Sequence, residues 1–306
     1  MSITLIAVVI ALVVGHTMPS LVALRRYDWF IRWLEWLAAQ FGDNASWRGG
    51  AGLLFAIGPP LLFVALVQLA LRHGFYGLFA FLFALAVLFY AWGPRDLDHD
   101  VDAVADAGDA AARREAAQRL FPERESPALD GGSLVEAVFR CALWRWFGVL
   151  FWFLLLGPFG ALLYRLVSLC AQGEAKKRLP EAASQAARNT LAFLDWPVAQ
   201  LMTLSLALVG NFDSVFAAWK DAGGAGYSGD TRFLAAAARA SVRSELADEA
   251  LDEVDTELGA DGGAAAAVSR GVPGLPELRD AMSLVWRILL LWLAVLALFV
   301  IAGWVA

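Results

Sequence analysis

Between Asp96 and Asp102 the chain places four aspartates and a histidine in seven residues, "DLDHDVD", directly after an apolar run that ends "LAVLFYAW". Carboxylates with water suit a hard divalent cation such as magnesium, and Asp98, His99 and Asp102 are the set that would hold it. Three further ionisable residues sit inside or at the edges of apolar runs: His16 ahead of "TMPS", Arg165 within "GALLYRLVSL", and Asp195 ahead of Trp196-Pro197. Together with Asp96, they are the candidate ligand- or partner-binding residues. A polar cavity lined by them at a membrane surface would serve a nucleotide or another small molecule.

Each of these residues also has a plainer use. Aspartates in the first turn of a helix are favoured by the positive end of its dipole. Asp98, Asp102, Asp106 and Asp109 recur at helical spacing, which makes a solvated acidic face, at a cost of a few tenths of a kcal/mol for like charges about four residues apart. Arg165 is deep enough to need a partner or a wet cavity, yet near enough to the end of its run to snorkel. Arg287 reads as a snorkelling anchor and His16 as an interfacial residue. Asp195 followed by Trp196-Pro197 has the form of a helix start, with proline at the first helical position. Cys141 and Cys170 lie beside apolar runs, as small buried hydrophobes do. No P-loop, zinc-ligand pair or nucleophile elbow is present, so no residue is assigned a catalytic role.

The elements that must position these residues are membrane helices. Of 306 residues, 59% are hydrophobic, only 18% are charged, and 13 are tryptophan. The apolar residues come in blocks, and about 20 of them in a row span the hydrocarbon as a helix. The spans read from the sequence are Ile3 to Leu24, Gly52 to Leu71, Tyr76 to Trp92, Phe147 to Leu169 and Met282 to Ala306. A shorter sixth candidate, Trp196 to Phe212, carries Gln200, Thr203 and Ser205. The opening residues lack a basic n-region and a small-residue cleavage site, and are read as a retained span. The expected fold is therefore all-α: a polytopic integral membrane protein with five to six membrane segments and helical cytoplasmic loops.

Five parts follow along the chain. Residues 1–92 form an N-terminal membrane part, in which "YDWFIRWLEWL" spaces Trp29, Trp33 and Trp36 for a helix lying in the interface. Residues 93–146 form a helical cytoplasmic segment. Residues 147–212 hold the Gly-Pro motif and the sixth segment, 213–281 are a cytoplasmic Gly/Ala-rich segment, and 282–306 are the C-terminal span. With six crossings, the loops 25–51, 93–146 and 213–281 carry seventeen Lys and Arg against five on the other side, which makes the first side cytoplasmic. The run "AKKRLPEAA" then falls on the wrong side, unless Gly157-Pro158 breaks the fourth segment and turns it back. A net charge of −6, with no basic patch among exposed aromatics, argues against nucleic acid.

Taken in order, the amphipathic "RYDWFIRWLEWLA", "GPRDL", "FWFLLLGPFGALLYRLV" and "LDWPVAQLM" resemble the AmpE-like proteins over residues 1 to about 245. The resemblance implies a bacterial inner-membrane regulatory protein linked with cell-wall recycling and β-lactamase induction. Its partners would be the bilayer and a regulatory or cell-wall recycling protein on the cytoplasmic side. AmpE is in turn similar to the cobalamin-pathway CobD/CbiB synthases, which join an aminopropanol arm to a corrinoid carboxylate. Those synthases carry a polar Glu-Asn-x-x-Asp-Gly run where this chain has "CALWRWFG", and Asn-Thr-Leu-Asp where it has "SLCA". Their Ser-Pro-Asn-Ala-Gly loop would fall near "GYSGDTRF". The implied function is regulation without catalysis and without a cofactor, a divalent cation such as magnesium at the acidic run apart. The alternative is a membrane enzyme or a nucleotide- or corrinoid-like binder.

Overall fold

The computed structural model describes residues 8, 10, 25–42, 44–72, 77–93, 97–121, 128–227, 229–259 and 275–302, residues 72 and 249–259 by their backbone alone. All the regular structure among the described residues is helical. Among the described residues the helices of eight residues or more are α1 Asp28–Phe41, α2 Gly52–Arg72, α3 Gly77–Ala91, α4 Leu97–Ala105, α5 Ala110–Ala117, α6 Gly131–Leu156, α7 Pro158–Ala171, α8 Glu181–Val209, α9 Phe212–Asp221, α10 Arg232–Gly259 and α11 Pro276–Ile301.

Among the described residues four stretches are long and apolar enough to cross a membrane: Gly52–Leu71, Gly131–Leu156, Glu181–Val209 and Pro276–Ile301. The expected count of five to six is not reached among these residues, and several of the expected boundaries move. The first expected span lies almost wholly outside the described residues. α3 has only 15 residues, about 22 Å at the helical rise, which is short of the hydrocarbon thickness. The expected span 147–169 is two helices, because Gly157 takes φ 70° and ψ −152°, a conformation open essentially to glycine alone. The bilayer-length helix begins instead at Gly131, inside the segment expected to be soluble. The sixth candidate is the second half of the 29-residue α8, which the polar residues ahead of Asp195 extend rather than terminate.

The chain divides into two compact units. The first comprises Met1–Asp96, Leu143–Val198 and Trp292–Ala306. Its centre is α7, which packs against α2, α3 and the last two turns of α6. Small residues let these helices close: a methyl group on Gly148 would overlap the Tyr164 ring, and one on Gly160 would overlap the Trp152 carbonyl. Helix α1 buries Phe30, Leu34 and Leu37 and leaves Trp29 and Trp36 exposed. It is tied down by Trp33 Nε1 donating to Ala56 O at 3.0 Å and Tyr27 Oη donating to Tyr90 O at 2.6 Å.

The short helix Gly173–Arg178, which follows α7, packs on α1, and Arg178 pairs with Glu35 at 3.2 Å. "AKKR" therefore lies beside the 28–41 segment, not opposite it. The turn at Gly157 brings Lys176, Lys177 and Arg178 back to the level of α1 within this unit.

The second unit comprises Leu97–Ala142 and Ala199–Leu291. α10 packs on α9 and on the Gly131–Ala142 part of α6, and α4 packs on α5 and the same part of α6. Leu97, Val101, Val104, Leu120, Phe121, Leu134, Phe139 and Phe233 form its core.

Candidate functional site

Ionisable side chains inside apolar helices are costly and mark a site by default. In the first unit these are Asp195 on α8 and Arg165 on α7, both almost fully buried. The expectation that Asp195 opens a helix is overturned: it sits in mid-helix, with Pro197 inside the same helix. One carboxylate oxygen accepts from Tyr164 Oη at 2.5 Å, and the other from Trp144 Nε1 at 3.0 Å. Trp152 Nε1 donates to Leu194 O at 3.2 Å, adding a bond to a carbonyl just ahead of Pro197. A five-residue π-helical turn, Leu143–Phe147, carries Trp144. Such turns interrupt the α ladder and re-aim side chains; here the Leu143 carbonyl also lies 3.4 Å from Tyr164 Oη.

Arg165 does not snorkel. Its Nε donates to Ala91 O at 2.6 Å, the last residue of α3, where a cation complements the helix dipole. Arg25 approaches the same place, with Nη1 donating to Gly93 O at 3.1 Å and the guanidinium over the Phe89 ring. Arg165 Nη2 is buried without a hydrogen-bond partner. Burial pushes the neighbouring Tyr27 phenol well above its usual range, against the opposing Arg165 charge, so Tyr27 remains a donor at all ordinary pH.

Gln68 was not singled out from the sequence. It reaches from α2 to the break at Gly157, donating to Leu156 O at 3.0 Å and accepting from Phe159 N at 3.0 Å. A break within a membrane protein leaves the end of one helix and the start of the next unsatisfied. One amide side chain meets both needs. A lone glutamine in an apolar span, together with a Gly-Pro break elsewhere, was the available signal. Trp144 and Tyr164 were likewise passed over, because both sat in motifs that looked merely apolar.

In the second unit Asp98 is half-buried and accepts from Trp286 Nε1 at 2.9 Å, while His99 and Asp102 are exposed on α4. Asp100, one of the first-turn aspartates, is the buried member of the run. Among the described residues no three His, Cys, Asp or Glu side chains are grouped to hold a metal. His16 and Asp96 lie outside the described residues. Arg287 pairs with Glu245 at 2.7 Å rather than standing alone as an anchor. A cavity of about 160 Å³ opens among Glu136, Phe139, Arg140, Asp230, Arg232 and Leu234, and Arg239 pairs with Glu136 at 3.3 Å. Cys141 and Cys170 are free and buried.

The described candidates thus fall into two groups, Arg165 with Asp195 in one unit and Asp98, His99 and Asp102 in the other. What the first group can do is hold helices together. Both oxygens of Asp195 are engaged by the protein, and the Arg165 Nε is spent on a helix end. In comparisons with known families, curated proteins and solved structures, the chain matches none.

Proposed function

We propose that this chain is a non-catalytic regulatory protein of the bacterial inner membrane, modulating signalling between cell-wall recycling and β-lactamase expression. The observation that carries this reading is how the polar groups among the apolar helices are used. Asp195 is taken by Tyr164 and Trp144, Arg165 Nε by the end of α3, and Gln68 by the α6–α7 break. An active site needs donors and acceptors aimed at a substrate; these are aimed at the protein. The resemblance in "GPRDL", "GPFGALLYRLV" and "LDWP" supplies the class of function.

Partner contacts would fall on the polar segments 93–146 and 213–281, which meet around Glu136, Arg140, Asp230, Arg232 and Arg239. Mixed charges around a half-open cavity suit a polar, reversible contact better than a permanent apolar one. The test is β-lactamase induction in cells with and without the chain. Altered induction, restored by the wild type and not by Glu136→Lys/Asp230→Lys, is expected. Unchanged induction overturns the reading. Micromolar binding of magnesium nucleotide to the purified protein, lost in Asp98→Ala/Asp102→Ala, would replace it with the enzyme or small-molecule binder.

A further inference from the structure

Where α8 ends, Asn211 caps α9 by accepting from Ser214 N at 3.1 Å, and the chain doubles back. Between the two helices lies an apolar groove of about 320 Å³, lined mainly by Leu201, Leu204, Ala207, Phe212, Phe216 and Trp219. That volume is at the low end of the roughly 300–1,000 Å³ of small-ligand pockets. Phe212 stacks on Phe216 and Phe216 on Trp219, with centroids 5.8 and 5.4 Å apart, so one face of α9 is a continuous aromatic wall.

The polar groups at the groove are all turned to the protein. Gln200 Oε1 accepts from Trp219 Nε1 at 3.0 Å, and Gln200 Nε2 donates to Gly224 O at 2.6 Å. Thr203 Oγ1 donates to its own helix, at Ala199 O. The turn that brings Gly224 back needs glycine twice. Gly223 has φ 75°, and a methyl group on Gly224 would overlap the Trp219 indole. The groove therefore offers no hydrogen bond to an occupant, only packing.

The occupant follows from where the groove opens. Leu201, Leu204 and Leu208 are exposed on α8, a helix of bilayer length, so this wall is continuous with an exposed apolar face that suits lipid. α9 carries Asp213, Lys220 and Asp221 beside and opposite its aromatic face, as a helix lying in the interface does. We infer that the groove between α8 and α9 holds one acyl chain of a bilayer phospholipid. Lipid tails gain nothing by leaving lipid for protein, but an empty groove in the bilayer forfeits dispersion contacts along its walls. An acyl chain is the apolar, flexible filler always at hand.

The test uses the full chain in vesicles of phosphatidylethanolamine and phosphatidylglycerol, doped with a phospholipid bearing a diazirine on its acyl chain. After photolysis, carbene adducts are mapped by mass spectrometry. Adducts on Leu204, Phe216 and Trp219 should exceed those on Leu62 and Phe63 of α2, which are more exposed, by several-fold. Ala207→Trp, which fills the groove, should abolish that excess and leave labelling of α2 unchanged. Equal labelling of the two helices in the wild type overturns the inference, whatever the variant does. So does a groove that is crosslinked to a second copy of the chain in place of lipid.

Discussion

Asp195, Tyr164 and Trp144 depend on one another. Both donors are aimed at one buried carboxylate, and removing it strands them at a cost of about 1–3 kcal/mol for each unmet group. Asp195→Leu should therefore lower the melting temperature in detergent markedly, and Asp195→Asn, which keeps one acceptor oxygen, should lower it less. A leucine variant that melts with the wild type would show that these bonds contribute nothing. Asp130, ahead of α6, is a contrasting carboxylate at the surface. It accepts from Ser133 N at 2.9 Å, and that backbone bond, followed by the Ser133 side chain, holds its carboxyl below the usual value. The stability it contributes is complete above the unfolded-state pKa and disappears as pH falls through the lowered folded one. Asp130→Ala should cost about 1 kcal/mol as a lost helix cap. The difference from wild type, followed by thermal unfolding, should persist at pH 7 and close at the acid end.

At the scale of elements, the break between α6 and α7 is the feature on which the first unit is built. It needs glycine at 157, because of its backbone conformation, and at 148, because Tyr164 packs there. It also needs Gln68 to satisfy the loose ends. Gly148→Ala should overpack the contact and cost about 1–3 kcal/mol. Gln68→Leu should cost about 0.6 kcal/mol for each of its two bonds, the typical value for a membrane hydrogen bond. Both are read from unfolding in mixed micelles. A Gln68→Leu protein as stable as the wild type would mean that water or lipid headgroups reach the break.

At the largest scale, the turn at Gly157 brings the segment after α7 back beside α1. Glu35 and Arg178 are 3.2 Å apart, so both must lie on the same side. Glu35→Cys and Arg178→Cys, each in a Cys141→Ala/Cys170→Ala background, should be labelled from the same face by an impermeant maleimide in oriented vesicles. Labelling from opposite faces would restore a crossing at 147–169. In the unaltered chain, both native thiols are buried and should resist the reagent until the protein is denatured.

The helical, membrane-embedded class was written in the sequence, because block hydrophobicity is local and each apolar run declares itself. The tryptophan-bearing helix at 28–41 was legible for the same reason, whereas Gly157-Pro158 offered a break only as an alternative to the expected span 147–169. Which polar side chain serves which need was not legible. Gln68 meets a break 88 residues away and Arg165 caps a helix ended 74 residues earlier; no local pattern records such pairings. Asp195-Trp196-Pro197 looked like a helix start because proline suits one. Only packing against Tyr164 and Trp144 made it the middle of a longer helix. A hydrogen bond across the fold is decided by where helices are brought to rest, and that is set by the close approach at small residues, which the tertiary structure alone displays.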